Sequence, residues 1–128
     1  MRVLTFGTFD QLHPGHIAYL KQAEDRGALL VLVARDENVE KFKGRRPEEN
    51  EDTRVANVLR HFPKATVVLG EHDDYLHKVR ELNHDLILLG YDQKMPPGIA
   101  ETDLPAPVER AEPYKPEEFK SSLRRGQE

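Results

Sequence analysis

The stretch "VLTFGTFDQLHPGHIAYL", residues 3–20, decides the fold because its apolar residues change their spacing midway. Its first part is β-branched and aromatic, which predicts a buried strand over residues 2–6 that ends before Gly7. Beyond the Pro-Gly pair, apolar residues recur at helical spacing, at Ile17, Leu20 and Ala23. The segment is therefore predicted to lead from a strand through a tight loop into a helix.

The rest of the chain repeats this alternation of strands and helices. Strands are predicted at 28–34, 65–69, 85–90 and 106–110, and helices at 53–62, 73–82 and 116–125. The helix over 53–62 is expected to begin at an N-cap on Asp52 or Thr53 and to stop at Pro63. Right-handed crossovers then give an α/β fold of the doubly wound, Rossmann-like kind, with a mostly parallel five-stranded sheet.

Length and composition limit the class of protein. With 128 residues, we expect a single domain over 1–128 whose last few residues are frayed. A net charge of −4 gives no general attraction for nucleic acid, and the absence of cysteine excludes disulfides, thiolate zinc sites and thiol nucleophiles. The longest apolar run, 28–34, is too short to cross a membrane, and the first residues have no signal-peptide pattern. We therefore expect a cytoplasmic protein with no membrane or nucleic-acid partner.

The predicted sheet also locates the functional site. Ligands of open parallel sheets bind beyond the carboxyl ends of the strands, where the strand order reverses. The segments expected at that edge are loops, and they hold the unusual polar sequence of the chain: 7–16, 35–46, 91–104 and 110–122.

The first of these loops has the composition of a phosphate-binding turn. Gly7 and Thr8 have little side-chain bulk, and a Pro-Gly pair leads into a helix whose free N–H groups and positive end attract an anion. His13 and His16 add two imidazoles to that end, although neither common glycine-rich phosphate signature is present. A metal-binding pair, which requires a third ligand nearby, and a merely polar turn are the alternatives.

The motif "GTFDQLHPGH", residues 7–16, resembles the signature of the nucleotidyltransferases of the cytidylyltransferase-like superfamily, whose core is HxGH. The resemblance implies transfer of a nucleotidyl group from ATP or CTP to a phosphate-bearing acceptor, with Mg²⁺ and release of pyrophosphate. It implies a metal bound mainly through the nucleotide phosphates and no separate protein metal site. It also implies a homodimer.

The same resemblance assigns roles within the motif. It implies that His13 and His16 are catalytic and stabilise the charge of the triphosphate, and that His16 also binds the nucleotide. Nucleotide-binding roles are implied for the neighbours in the loop: Thr8, Phe9 and Gly15. Asp10 is expected to shape the loop or to organise the acceptor and the metal.

The resemblance also implies a lysine after the second strand and an arginine at the start of the next helix. The sequence supplies Lys41 and Lys43 in "EKFKGRR", as catalytic and acceptor-phosphate candidates respectively. Arg54 lies off the apolar stripe of the 53–62 helix and is expected to be free to reach a phosphate as a catalytic residue. The alternatives are a solvated charge run and a surface arginine paired with Glu51 or Asp52.

Near the C-terminus, the family has an arginine followed by a hydroxyl pair at a helix start. The matching residues are Arg110, an acceptor-phosphate candidate, and the nucleotide-binding candidates Ser121 and Ser122, although the spacing is longer here. The serines are equally compatible with capping or solvating the last helix.

Two further stretches resemble the archaeal-type FAD synthases, which adenylylate FMN: "ARDENVEKFKGRRP" (34–47) and "LGYDQ" (89–93). Tyr91 and the nucleotide-binding candidates Gly90, Asp92 and Gln93 would follow the fourth strand, where Gln93 or backbone groups can read an adenine edge. The resemblance thus implies ATP and FMN as substrates. The alternatives are a CTP-dependent enzyme acting on glycerol 3-phosphate or a similar phosphoalcohol, and a nucleotide-binding module without catalysis.

Overall fold

The computed structural model describes residues 1–72, 75–95 and 99–114. Five strands alternate with helices along the chain: β1 (Arg2–Gly7), β2 (Ala28–Val33), β3 (Thr66–Leu69), β4 (Leu86–Leu89) and β5 (Val108–Arg110). The helices are α1 (Pro14–Arg26), α2 (Asp36–Lys43), α3 (Glu51–His61) and α4 (Tyr75–Glu81), with a 3-10 turn at Glu101–Asp103. The helix predicted over 116–125 lies outside the described residues.

The strands form one sheet in the order β3-β2-β1-β4-β5, and every neighbouring pair is parallel. The chain first adds strands on one side of β1 and then crosses over to build the other side. The strand order therefore reverses between β1 and β4, which is where a ligand is expected in such a sheet. The predicted α/β fold with a parallel five-stranded sheet is confirmed.

Each face of the sheet has its own hydrophobic cluster. Val3, Val31 and Leu88 point to the face that α1 and α3 cover. Leu4, Leu30 and Ile87 point to the opposite face, where Val79 of α4 packs against them. Because both faces are covered, the central strands have no polar alternation. None of the helices in the described part of the chain has the length and apolar character needed to cross a bilayer.

Two local predictions are wrong. The segment 35–46 is not a continuous loop, because α2 occupies Asp36–Lys43 and ends at Gly44, whose φ of 79° is in the left-handed region. The N-cap of α3 is Asn50, whose side chain accepts a 2.9 Å hydrogen bond from the Thr53 N–H. An asparagine before two acidic residues starts the helix earlier than the apolar spacing indicates, since the first turn carries no buried apolar residue.

Candidate active site

A cavity of about 1030 Å³ opens at the carboxyl ends of the strands, over the point where the strand order reverses. Its floor is the loop from Gly7 to Asp10 together with the first turn of α1. One wall is formed by α2 and the residues that follow it, here called the α2 wall, and includes Asn38, Phe42, Lys43, Arg45 and Glu71. The opposite wall, the β4–β5 wall, includes Gly90–Met95 and 111–114.

The two motif histidines form a reciprocal cap at the start of α1. His13 is the N-cap, and its Nδ1 accepts from the N–H groups of Gly15 (3.1 Å) and His16 (3.4 Å). In return, Nδ1 of His16 accepts from the His13 N–H at 3.2 Å, and the two rings stack with their centroids 3.6 Å apart. The expectation that free N–H groups of this helix receive the anion is wrong, because His13 already occupies them.

The cap determines which imidazole atoms can reach a ligand. Since both Nδ1 atoms accept backbone hydrogens, the ring proton of each histidine lies on Nε2. Both side chains line the cavity, and Nε2–H is the ring donor of each that the helix backbone leaves for a ligand. The donors for an anion are therefore imidazole N–H groups held by the helix backbone. A metal ligated by Nδ1 is incompatible with this arrangement.

His16 is electrically neutral in this environment. Its ring packs edge-on against Phe9, with the centroids 5.5 Å apart. Desolvation by burial lowers the pKa of His16 to about 4; repulsion from Lys43, and from His13 when that ring is protonated, adds to this effect against the opposing charge of Asp10. At neutral pH His16 therefore acts as a hydrogen-bond donor rather than as a cation.

The motif loop is held in an unusual backbone conformation. Phe9 and Gln11 have φ values of 55° and 49°, although neither is glycine. The carboxylate of Asp10 accepts from the N–H groups of Glu48 (2.9 Å) and Glu49 (3.0 Å), and the Gln11 N–H donates to the Glu49 carboxylate at 2.8 Å. The segment before α3 thus clamps the loop from outside the cavity, and it holds the loop through the carboxylate of Asp10 and the N–H of Gln11.

These hydrogen bonds stabilise the ionised form of Asp10. Burial acts to raise the pKa of Asp10, but the hydrogen bonds from the Glu49 and Glu48 N–H groups, with Arg54 and Lys43 nearby, outweigh it. The pKa of this carboxyl is therefore below its ordinary value, and the clamp remains ionised well below neutral pH.

Arg54 lies beneath this loop and not on the surface. Its side chain is 0% exposed and donates to three acceptors: Thr8 O (2.7 Å), Glu49 O (3.0 Å) and Asp36 Oδ1 (2.7 Å). The prediction that Arg54 is free to reach a phosphate is wrong, as is its alternative pairing on the surface. The sequence places Arg54 on a helix face with Asn57 and His61, but the motif loop and α2 cover it, and a tertiary contact of this kind leaves no local sequence pattern.

The lysines of "EKFKGRR" differ in position. Lys43 lines the cavity, and its Nζ donates to Thr8 Oγ1 at 3.2 Å. Lys41 is exposed on the same helix and is not among the described residues that line the cavity. Sequence reasoning missed Phe42 and Arg45, which both line the cavity. An aromatic residue between two lysines was the signal that could have identified this wall.

On the β4–β5 wall, the side chain of Gln93 joins neighbouring strands. Its Oε1 accepts from the Gly90 N–H and its Nε2 donates to Phe6 O, both at 2.8 Å. These bonds tie the end of β4 to the end of β1, so the amide positions the loop rather than pointing its full edge at a base. Tyr91, Asp92 and Lys94 are exposed and line the cavity, so a ligand can contact their side chains.

Arg110 supports the same loop from behind. Its guanidinium donates to the carbonyls of Gly90 (2.9 Å) and Gln93 (2.8 Å) and pairs with Glu101. Arg110 is not among the described residues that line the cavity, so its position is that of a structural clamp. Ser121 and Ser122 lie outside the described residues.

A group of potential metal ligands occurs beside the α2 wall. The carboxylates of Glu71 and Glu81 lie near His77, within 4.8 Å of one another. His77 and Glu81 are four residues apart on α4, so they lie on one face of the helix, and Glu71 precedes them by six residues or more. Lys78 Nζ lies 3.3 Å from Glu71 and 2.9 Å from Glu81, so a cation of the chain already balances these acids.

The fold and the cavity together define a class of protein. An open parallel sheet, a cavity at its switch point and a pair of imidazole donors at a helix start are the features of an α/β protein that binds phosphate groups. The cytidylyltransferase-like family model matches residues 4–115, and the chain belongs to this family. The resemblance found in the sequence is thereby confirmed.

Relatives with established names include archaeal proteins called FAD synthase. The one from Aciduliprofundum boonei is 45% identical over 95 residues, which are 73% of this chain and 63% of the relative. The one from Korarchaeum cryptofilum is 48% identical over 96 residues, which are 72% of this chain and 65% of the relative. The chain therefore spans slightly less than two thirds of the length of these relatives.

A solved structure is also similar. The lipopolysaccharide core biosynthesis protein from Thermoplasma volcanium GSS1 superposes with a TM-score of 0.76 and 34% sequence identity. The match covers 90% of this chain and 98% of that protein, so the two share the fold over nearly their whole length.

Proposed function

We propose that this chain is an ATP:FMN adenylyltransferase, which forms FAD and pyrophosphate. The observation that carries the proposal is the pair of Nε2–H donors that His13 and His16 present at the switch point of the sheet. The archaeal relatives named FAD synthase support ATP and FMN as the two substrates. The cavity of about 1030 Å³ is large enough for two ligands of nucleotide size.

In the proposed reaction, an oxygen of the FMN phosphate attacks the α-phosphorus of ATP in line. A P–O bond forms there, the bond to the bridging oxygen of the β-phosphate breaks, and its electron pair leaves with pyrophosphate. The chain supplies no nucleophile, so its contribution is positioning and stabilisation of charge. The Nε2–H groups of His13 and His16 donate to triphosphate oxygens on which negative charge develops, with Thr8, Phe9 and Gly15 beside the nucleotide.

Neutral imidazoles suit this role. A donor that is already in place, with its Nδ1 fixed by the helix backbone, stabilises developing charge without reorganising during the reaction. The low pKa of His16 means that it does not transfer its proton as a general acid at neutral pH. The positive charge of the site comes instead from side chains that line the cavity, Lys43 and Arg45 on the α2 wall and Lys94 on the β4–β5 wall. Arg54 acts from below as a positioning residue.

The donor set is compatible with Mg²⁺. This ion keeps several waters and binds through substrate phosphates and one or two carboxylates. The cavity offers Asp10 and Asp92 as such carboxylates, of which Asp10 is held ionised by backbone N–H groups. When bound with ATP, the ion would neutralise phosphate charge. The family resemblance also implies a homodimer, which sedimentation of the purified chain would test.

The decisive experiment measures pyrophosphate release by the purified protein with Mg²⁺. ATP or CTP is combined with FMN or glycerol 3-phosphate, and flavin products are separated by chromatography. FAD formed from ATP and FMN supports the proposal. Turnover with CTP alone identifies a cytidylyltransferase, and nucleotide binding without turnover indicates a binding module.

A matched pair of variants then tests the histidine site. His16→Ala should lower kcat by about 10²-fold or more, the scale for removing one preorganised donor. His61→Ala is the control, because His61 is exposed on α3 and bonds the carbonyl of Asn57 outside the cavity. Equal activity of the two variants would rule out the assigned role of His16.

A further inference from the structure

We propose that Phe42 is the platform on which the tricyclic ring of the acceptor stacks, and that it selects an aromatic phosphate acceptor over a small phosphoalcohol. The inference rests on the proposed function, since it concerns the second substrate of that reaction. Four observations carry it: the exposure of Phe42, its absence from the core, the anchoring of α2, and the difference in charge between the two walls.

Phe42 exposes apolar surface where the fold gives it no partner in the core. Its side chain is 38% exposed and lines the cavity, one helical turn beyond Val39, which is buried. Neither hydrophobic cluster of the described residues includes Phe42. An apolar ring that continues the buried face of a helix out over a cavity offers a flat surface to a ligand.

The helix that carries Phe42 is fixed at both ends. At its start, Asp36 binds the buried Arg54, and Asn38 donates to Glu71 O at 2.7 Å. At its end, Lys43 donates to Thr8 Oγ1, and Gly44 closes the helix with its N–H bonded to Glu40 O. The ring is therefore presented by an anchored element, so little ordering is required when a ligand stacks on it.

The two walls differ in the chemistry they offer to a substrate. The α2 wall places the cations Lys43 and Arg45 beside Phe42, whereas its acid Glu71 is paired with Lys78. The β4–β5 wall carries two acids, Asp92 and Glu112, and one cation, Lys94, so its formal charge is negative whereas that of the α2 wall is positive. Carboxylates suit ribose hydroxyls and repel phosphate, as in dinucleotide-binding proteins. The acceptor phosphate therefore belongs on the α2 wall, and a ring attached to that phosphate by a short chain reaches Phe42.

This placement explains how one site distinguishes acceptors of different size. An isoalloxazine ring gains contact with the face of Phe42, whereas glycerol 3-phosphate has no ring to place there. Stacking of a base on an aromatic side chain changes affinity by about ten-fold or more on substitution by alanine. Phe42 should therefore affect the acceptor and leave binding of ATP unchanged.

The test compares Phe42→Ala, Phe42→Leu and Phe42→Tyr with the wild type. The matched control is Leu59→Ala, because Leu59 is also 38% exposed but lies on α3 away from the cavity. KM values for FMN and ATP are measured separately, and binding of FMN alone is followed by quenching of flavin fluorescence. Phe42→Leu keeps an apolar side chain on the helix but removes the aromatic ring, so it can test stacking even if Phe42→Ala does not fold.

Phe42→Ala and Phe42→Leu should each raise KM and Kd for FMN about ten-fold or more, with KM for ATP within two-fold. Phe42→Tyr should keep KM and Kd for FMN near the wild-type values, and Leu59→Ala should change neither of these two constants. Unchanged FMN binding in Phe42→Leu, or equal rises in KM for ATP and FMN, would show that Phe42 is not the platform. The proposed function would still stand in that case, provided that the wild type forms FAD. A wild type that forms no FAD and does not bind FMN rejects both.

Discussion

Replacing Arg54 by methionine tests the clamp beneath the motif loop most directly. The substitution keeps a long side chain but removes the charge and every donor. It leaves Asp36, whose side chain is 16% exposed, without its buried cation, and it leaves the carbonyls of Thr8 and Glu49 without their hydrogen bonds. Each of these acceptors lies at a different segment, so the loop, α2 and the start of α3 lose their common support.

The expected loss can be estimated from the burial of the pair. Removing one partner of a buried ion pair costs about 3–5 kcal/mol, because the other charge remains buried and unpaired. We therefore expect the free energy of unfolding to fall by about 3–5 kcal/mol. Arg60→Met is the control, since Arg60 is exposed on the same helix and donates to Asn57 Oδ1. A surface change of that kind is worth about 0.5 kcal/mol or less.

The assay is urea unfolding followed by far-ultraviolet circular dichroism, since the chain has no tryptophan. Arg54→Lys supplies a second, milder variant, because an ammonium group cannot reach all three acceptors that the guanidinium fork serves. This variant should be less stable than the wild type. It should also have a lower kcat, since the guanidinium hydrogen bond to Thr8 O no longer holds the motif loop. A loss below about 1 kcal/mol in Arg54→Met would refute the buried-pair argument.

Three further predictions concern the same site. In a carbon-detected NMR titration, His16 should titrate near pH 4. Because the pKa of His16 is higher in the unfolded chain, the free energy of unfolding should decrease as the pH falls from 6.5 toward 4. A titration midpoint near 6.5 would contradict the claim that burial lowers this pKa. Gly15→Ala should lower kcat about ten-fold, because the new Cβ lies 3.0 Å from the His13 ring and displaces it from its cap; turnover measured well below the melting temperature of the variant checks this. Tyr19→Phe removes the buried hydroxyl that donates to Leu88 O, so urea unfolding should show a loss of about 1–3 kcal/mol.

Most of the fold could be predicted because it rests on local patterns. The apolar strands and the helical spacing of Leu20 and Ala23 are properties of short segments, and both recur in the structure. The helix α2 was missed because its eight residues contain one buried side chain, Val39, which is too few to show a period. The N-cap at Asn50 was missed because the first turn of α3 has no apolar residue to mark it.

The site was predicted unevenly for the same reason. The histidines were found because their spacing in the motif places them in one helical turn, where their reciprocal cap is local. Arg54 was misplaced because a polar position on a helix is normally exposed, and burial there depends on a loop 46 residues away. Gln93 was read as a ligand contact, but it bonds the backbone of Phe6, which is 87 residues away.

The sequence by itself determined the order of the five strands and of the helices α1, α3 and α4, the edge of the sheet that carries the site, and the histidine motif. These depend on periodicity and on residues that are close together in the chain. The tertiary structure decided which polar groups face the cavity and which are used within the fold. That distinction depends on hydrogen bonds between distant segments, in which an arginine or an amide meets a backbone carbonyl, and carbonyls are present at every position of every sequence.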